Sequence, residues 1–427
     1  MDSYFVHIGQ FHGWGEDHPV ALSREDRRRH LYIIGQTGTG KSTLIRHLLA
    51  QDIQNGEGCA LIDPHGDLPL EVLDTVPSRR VDDVIVLDPS DTGRPVGLNP
   101  FYRVPADDRA MVAADITAAF KHIWRDSWGA RLEYILLNTI TALLDAPDKF
   151  RPTFAAIPLF LADQYYREQV LGHLKNRQAK TFFEGEFSRW NSRQVSEALG
   201  PVQNKIGQLL HNPFVCNILG QWKPSINLSQ IIEKKRILIV RLSKGTLGEV
   251  PSNLLGSLVA SGFAQNSMQR TAIPEDQRHD FHLHIDEFQN FTTDSFAAMF
   301  SESRKYGLTL TIGNQYLDQL DREVRAAVFG NVGNIVSFRV SASDADVLAK
   351  EIGRYQPSFY KGMEVGKICA RVLRKGEVME GRIGRTLRDA YSTYKHRANI
   401  LKQSRQRYGE DRGQVEEKFS RWLRAQL

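Results

Sequence analysis

The chain has 427 residues, 41% of them hydrophobic. That is enough for about two to three domains with buried cores, and it excludes a chain disordered over most of its length. Lys and Arg number 55 against 50 Asp and Glu, a net charge of +5, which permits an anionic partner without requiring one. The three cysteines, Cys59, Cys216 and Cys369, are too few and too scattered for a disulfide framework or a metal-type spacing, so buried thiols in a reducing compartment are expected.

The N-terminal stretch "MDSYFVHIGQFHGWG" lacks the basic segment and apolar run of a signal peptide. No stretch approaches the ~18 uninterrupted apolar residues of a membrane span. The expectation is a cytoplasmic protein with no intrinsic span, brought to the inner face of the membrane only through partners.

Strand-like runs then fall in two groups. "LYII" (31–34), "CALID" (59–63) and "DVIVLD" (83–88) form the first. "RILIVRL" (236–242), "FHLHIDE" (281–287), "LTLTIGN" (308–314), "NIVSFRV" (334–340) and "KICARVL" (367–373) form the second. Most are continuous apolar or β-branched runs, the pattern of strands covered on both faces, and helical patterns lie between many of them. Alternating strand and helix predicts a doubly wound α/β domain. The groups are separated by a helical stretch in which Leu132, Ile135, Leu136, Ile140 and Leu143 share one face. The predicted layout is a first part of the α/β domain over 1–102, an inserted all-helical domain over 103–220, a second part of the α/β domain over 221–380, and a basic helical tail over 381–427. Arg382, Arg385, Arg388, Lys395, Arg397, Lys402, Arg405, Arg407, Arg412, Lys418, Arg421 and Arg424 give the tail its charge, opposed by Asp389, Glu410, Asp411, Glu416 and Glu417. The tail reads either as a solvated helix face or as a contact to nucleic acid or a neighbouring subunit.

Chemistry begins at "LYIIGQTGTGKSTL" (31–44). Gly35, Gly40, Lys41 and Ser42 complete G-x-x-x-x-G-K-[ST], with a strand before and an amphipathic helix after. The loop Gly35, Gln36, Thr37, Gly38, Thr39, Gly40, Lys41, Ser42 and Thr43 is therefore the candidate binding site for ATP. Its backbone N–H groups would face phosphate oxygens, Lys41 would reach the β- and γ-phosphates, and Ser42 would ligate Mg²⁺. In "LIDPHGDL", Asp63, His65 and Asp67 follow a strand tip. They read as a capped turn with a place near the nucleotide, or as a metal cluster.

The acidic partner of a P-loop comes in "FHLHIDEFQNF": Asp286 would hold Mg²⁺ and Glu287 would orient the attacking water. His282 and His284 read as strand residues with satisfied ring nitrogens. In "SESRKYGLTLTIGNQYLDQL", Gln315 at a strand end could sense the γ-phosphate or simply cap the strand. Arg304, before that strand, suits a finger offered to the neighbouring subunit's phosphate, and Arg339 in "VSFRV" is a second candidate; either could instead form a local salt bridge.

Together, "HLYIIGQTGTGKSTL", "ALIDPHGDL", "HIDEFQNF", "SRKYGLTLTIGNQYLDQL" and "GNIVSFRVSASDADVLAKEIG" resemble the coupling ATPases of type IV secretion and conjugation, within the HerA–FtsK superfamily. The resemblance covers roughly residues 20–375. It implies a RecA-like P-loop NTPase fold with a mostly parallel sheet and an inserted all-α domain. It also implies DNA translocation by a homo-hexamer, with secretion-channel or relaxase partners. Such proteins usually begin with transmembrane helices, and this chain starts almost directly at the ATPase. Two other readings stay open: a HerA-like motor working with a separate nuclease in resection or defence, and a nucleotide-dependent scaffold that recruits secretion substrates.

Overall fold

The apolar runs become the inner strands of one sheet. In the computed structural model, which describes residues 4–13, 16–293, 295–387 and 391–426, the strands are β1 (Phe5–Gly13), β2 (Glu16–Ser23), β3 (Leu31–Ile34), β4 (Gly58–Asp63), β5 (Val84–Leu87), β6 (Ile237–Arg241), β7 (Phe281–Ile285), β8 (Leu308–Asn314), β9 (Asn334–Ser337), β10 (Lys367–Arg371), the short ribbon β11 (Leu373–Arg374) and β12 (Glu377–Val378), and β13 (Arg382–Arg385). Among the described residues, eleven of them join in the order β2-β1-β13-β10-β9-β3-β8-β7-β4-β6-β5. From β9 to β5 every pairing is parallel. The other pairings, from β10 to β2, are antiparallel. The parallel strands are buried along their length, as in β3, β4, β7 and β8, which is why they read as unbroken apolar runs.

Two parts of the sequence-based layout are corrected here. The first strands of the sheet are the hairpin β1–β2, which alternates rather than runs apolar: Val6, Ile8 and Phe11 are buried while Phe5 and Gln10 are exposed. A register shift between His7 and Gly9 breaks that alternation and hides it from a period-two reading. The predicted helical tail also begins with a strand: β13 sits between β1 and β10. Gly384 makes this pairing possible, because a Cβ there would lie 2.4 Å from the carbonyl oxygen of Gln10. Arg388 and Asp389, read as tail charges, lie outside the described residues.

The chain divides into two compact units. The first, Met1–Leu87, Leu228–Leu242 and Phe263–Gln403, contains the sheet. Its helix α1 (Lys41–Gln54) buries Leu44, Ile45, Leu48, Leu49 and Ile53 in the sheet's core. The second unit, Asp88–Asn227, Ser243–Gly262 and Ser404–Leu427, is helical. Helix α2 (Ala130–Asp145) buries the predicted stripe of Leu132, Ile135, Leu136, Ile140 and Leu143. Helix α3 (Ser192–His211) starts at a capping box between Asn191 and Gln194. An aromatic cluster of Phe160, Phe182, Phe183, Phe187 and Trp190 anchors this core, with ring centroids 4.7–6.0 Å apart. The last helix, α4 (Arg412–Gln426), packs Val415 and Trp422 inward and carries ion pairs on its outer face, such as Arg412 with Glu416 and Arg421 with Glu417.

Candidate functional site

The loop between β3 and α1 is shaped by three glycines. Gly38 and Gly40 take positive φ angles of 76° and 122°, which other residues adopt only under strain. Gly35 packs so closely on Phe338 that a Cβ would lie 2.5 Å from the Phe338 Cβ. Gln36, Thr37 and Gly38 are exposed at the tip. The N–H groups of Lys41, Ser42 and Thr43, in the first turn of α1, have no backbone acceptor among the described residues. They therefore offer donors at the positive end of a 14-residue helix. Lys41 is only 6% exposed and folds over the loop, its Nζ donating to the carbonyl oxygen of Gly35 at 2.6 Å. Burial lowers its pKa, against the nearby charges of Glu287 and Asp286.

The acidic pair ends β7 at the same sheet edge. Ser42 Oγ donates to Asp286 Oδ2 at 2.8 Å. Hard oxygen donors in that arrangement suit Mg²⁺. Burial raises the Asp286 pKa, and the charge of Glu287 adds to it, while the bond from Ser42 opposes it. Glu287 takes a left-handed backbone, φ 47°, which turns its carboxylate back toward the loop. Its burial would raise its pKa, but contacts from His65, Gln289 and Gln315 and the charge of Lys41 outweigh that and bring it to about 2. Glu287 is thus a fixed, ionised acceptor at neutral pH.

Gln315 joins the loop to this carboxylate. Its Nε2 donates to Glu287 Oε1 at 3.0 Å, and Thr37 Oγ1 donates to its Oε1 at 3.0 Å. A change at the loop tip is therefore one side chain away from Glu287. Gln289 Nε2 donates to Glu287 Oε2 at 2.7 Å. Gln289 was not among the residues singled out by sequence. The left-handed turn at Glu287 brings it back, and an amide two residues after an acidic pair is the only trace it leaves. His65 Nε2 lies 3.9 Å from Glu287 Oε1 and its pKa is raised, chiefly by that contact. Asp63 accepts the Gly66 N–H in the turn, and burial together with the charge of Asp286 raises its pKa to about 7.

The two arginines lie apart. Arg339 Nε donates to Gln36 Oε1 at 3.2 Å, beside the chain's own loop. Arg304 precedes β8, at the strand end opposite Gln315; seven residues at ~3.3 Å each separate the two ends by about 20 Å. Its side chain has no hydrogen bond or ion pair among the described residues. His282 and His284 are held inside the sheet, the first by Thr309 at 2.6 Å and the second by Asp52 at 2.9 Å.

Two family models match this frame. Residues 6–90 match the central domain of helicase HerA, and residues 280–367 match the TraM recognition site of TraD and TraG. The matched segments are similar to HerA and to TraD and TraG, and the chain is a P-loop ATPase. Solved structures share the architecture of this ATPase. A bacterial conjugative coupling protein, TrwBdeltaN70, superposes with a TM-score of 0.64 at 16% identity, covering 91% of this chain and 90% of that one. The plasmid coupling protein TrwB in complex with ADP and Mg²⁺ gives 0.63 at 17% identity, covering 91% and 92%. VirB4 of Thermoanaerobacter pseudethanolicus gives 0.59 at 14% identity, covering 91% and 98%. At these identities the likeness is one of fold, the RecA-like P-loop NTPase fold. No curated protein matches the chain. Among the described residues, no helix is long and apolar enough to cross a membrane.

Proposed function

We propose that this ATPase is a coupling protein of conjugative or type IV secretion transfer, which binds DNA and moves it by ATP hydrolysis as a ring of six. The observation that carries the reading is the chain of contacts on one sheet edge: Ser42 to Asp286, and Thr37 through Gln315 to Glu287. The TraD and TraG model over residues 280–367 favours coupling over a nuclease-linked motor.

In this reading Lys41 leaves the carbonyl of Gly35 for the β- and γ-phosphates of ATP, and the N–H groups of the first turn of α1 take phosphate oxygens. Mg²⁺, held by Ser42 and Asp286, would neutralise the phosphate charge. Glu287 accepts a hydrogen bond from the attacking water and orients it. Gln315 reports the state of the γ-phosphate by exchanging its contact with Thr37. Arg304, too far from its own Lys41, serves the neighbouring subunit. The division into ATPase halves over 1–102 and 221–380, a helical insertion over 103–220 and a basic tail is part of this proposal. So is recruitment to the inner face of the membrane by a relaxase or channel partner.

The test is phosphate release by the purified chain with no DNA, single-stranded DNA and double-stranded DNA. DNA should stimulate hydrolysis several-fold, and Lys41→Ala should lower it by about two orders of magnitude or more. Hydrolysis indifferent to both forms of DNA would remove the motor reading. Near-normal turnover by Lys41→Ala would remove the nucleotide site.

A further inference from the structure

A cavity of about 370 Å³ lies wholly within the helical unit, far along the chain from the P-loop motif. Its walls are the turn around residues 150–153, the turn around 220–223, and helix α4. These walls are fixed to each other. Trp422 Nε1 donates to the carbonyl of Phe150 at 3.0 Å. Asn99 Nδ2 donates to the carbonyls of Pro152 at 3.1 Å and Trp222 at 2.9 Å. The ring of Tyr102 meets Trp222 edge-on at 5.0 Å, so that indole is held in place.

Three features of the lining point to one kind of occupant. Trp222, Phe419 and Trp422 present aromatic surface, with Trp222 and Phe419 half-buried. Thr153 is 2% exposed and its hydroxyl has no hydrogen-bond partner among the described residues. A buried polar group left in that state is destabilising, so a ligand that bonds it recovers the cost. Arg151, Lys223, Lys418 and Arg421 stand exposed at the rim, opposed within the lining by Glu410. Lys418 pairs with Glu410, and Arg421 with Glu417, a pair that a bound phosphate would have to loosen. Arg151 and Lys223 have no carboxylate partner among the described residues. Arg151 also takes a left-handed backbone, φ 48°, a strain that non-glycine residues keep only where the surroundings demand it.

We propose that this cavity binds a nucleotide unit, its base against the aromatic rings and the Thr153 hydroxyl, its phosphate on the rim cations. A base is flat, stacks on indole and phenyl rings, and carries donors and acceptors on its edge for a buried hydroxyl. An acidic peptide would satisfy the rim, but an apolar side chain in the cavity would leave Thr153 unbonded. The nucleotide is either a residue of a single strand or a free mononucleotide. The inference rests on the DNA-handling reading only for the strand as its source.

The test uses the full chain, with saturating non-hydrolysable ATP analogue to fill the P-loop. A single-stranded oligodeoxynucleotide containing 5-iododeoxyuridine, and separately 5-iodo-dUMP, are photocrosslinked and the attached peptide is mapped. Attachment at Trp222, Phe419 or Trp422 is expected, from the strand, the mononucleotide or both, and which one crosslinks names the source. If the strand is the source, Lys223→Glu with Arg421→Glu should weaken oligonucleotide affinity about tenfold. It should also lower the slope of log affinity against log salt by roughly 1.4, at about 0.7 per lost phosphate contact. The DNA-free ATPase rate should stay unchanged. Thr153→Val, which keeps the shape and removes the hydroxyl, should reduce crosslinking without changing the unfolding midpoint by more than a few degrees. Crosslinks confined to other segments, with the charge-reversed variant binding DNA as the parent does, overturn the cavity while the DNA reading stands. An acidic peptide that binds the parent but not the charge-reversed variant, with no crosslink from either nucleotide probe, assigns the cavity to a protein and also overturns it. A parent chain that binds no DNA at all refutes the DNA reading, and the mononucleotide arm then decides the cavity by itself.

Discussion

Glu287 is the side chain on which most of the site converges, and its substitution separates binding from cleavage. Its carboxylate accepts from Gln315 at 3.0 Å and Gln289 at 2.7 Å. Glu287→Gln keeps the size and loses the anionic acceptor that water needs. Hydrolysis should fall by roughly 10²–10⁴-fold, the usual share of a general base. ATP should stay bound, so nucleotide extracted from the purified variant should be mostly ATP; mostly ADP would place the base elsewhere. Because the Glu287 pKa is lowered to about 2 from 4.5, its contribution to stability is present above about pH 4.5 and is lost only as pH falls toward 2. An acid limb of the rate above pH 5 therefore does not come from this residue in the free enzyme. His30 gives the opposite practical outcome. The Leu310 N–H donates to its Nδ1 at 3.1 Å, and its Nε2 lies 3.2 Å from the Phe300 carbonyl, which together require the neutral ring. Burial lowers its pKa from 6.5 to about 4. Folded protein thus binds fewer protons than unfolded protein between those values. Stability should fall as pH drops from about 6.5 to 4, with a slope of up to about 1.4 kcal/mol per pH unit from this residue. His30→Asn, chosen because asparagine tolerates the left-handed φ of 62°, should be less stable at pH 7.5 and show a shallower loss between pH 7.5 and 5 in urea unfolding. An unchanged pH slope would mean another group sets it.

At the scale of elements, the strand–loop–helix of the P-loop is defined by its packing on Phe338. A Cβ on Gly40 would lie 2.9 Å from Phe338 Cε1, at the ring's edge, whereas one on Gly35 would lie 2.5 Å from Phe338 Cβ. Gly35→Ala and Gly40→Ala should each destabilise by about 1–3 kcal/mol and weaken ATP binding. Phe338→Leu removes the ring edge but keeps the Cβ. It should therefore rescue part of the Gly40→Ala loss and none of the Gly35→Ala loss, read from the thermal midpoints of the two glycine variants against the parent and of the two double variants against Phe338→Leu. Equal rescue of both would show that the ring does not set the loop. The same contrast explains what was legible in the sequence. Gly35 to Thr43, β3 and α1 are contiguous, so local spacing carried the whole element. The acidic pair at the end of β7 was legible for the same reason. The pairing of Gln10 with Arg385 joins strands more than 370 residues apart, and β13 is short and arginine-flanked, so it reads as part of a basic tail. The placement of His65 beside Glu287 depends on β4 lying next to β7, which no local pattern states. Gln289 depends on one left-handed backbone angle at its neighbour.

At the scale of the whole molecule, the two ends of β8 pose the question of assembly. Gln315 sits at one end with the loop and Glu287, and Arg304 stands about 20 Å away at the other. No rotamer of Arg304 spans that distance. In a ring, the edge that carries Arg304 can face the neighbour's P-loop, and a planar guanidinium there would meet the charge that grows on the transferred phosphoryl group. Arg304→Ala should then lower hydrolysis by on the order of 10³-fold while leaving ATP binding and the unfolding midpoint close to those of the parent. Lys41→Ala is inactive for a different reason, since it empties its own site and keeps its Arg304. Mixing the two at equal concentration should restore activity, because an Arg304→Ala chain with an intact Lys41 can sit beside a Lys41→Ala chain with an intact Arg304. Random mixing creates that pairing at about a quarter of the interfaces, which bounds the recovery at about a quarter of the parent rate. Phosphate release from the mixture, measured with DNA present and with mixed assemblies verified by mass, decides the matter. Mixed assemblies with no gain over either variant alone would leave Arg304 a surface residue. Arg339, which contacts Gln36 of its own chain at 3.2 Å, would then be the arginine to test, and its variants should show no rescue on mixing, because it acts on its own loop.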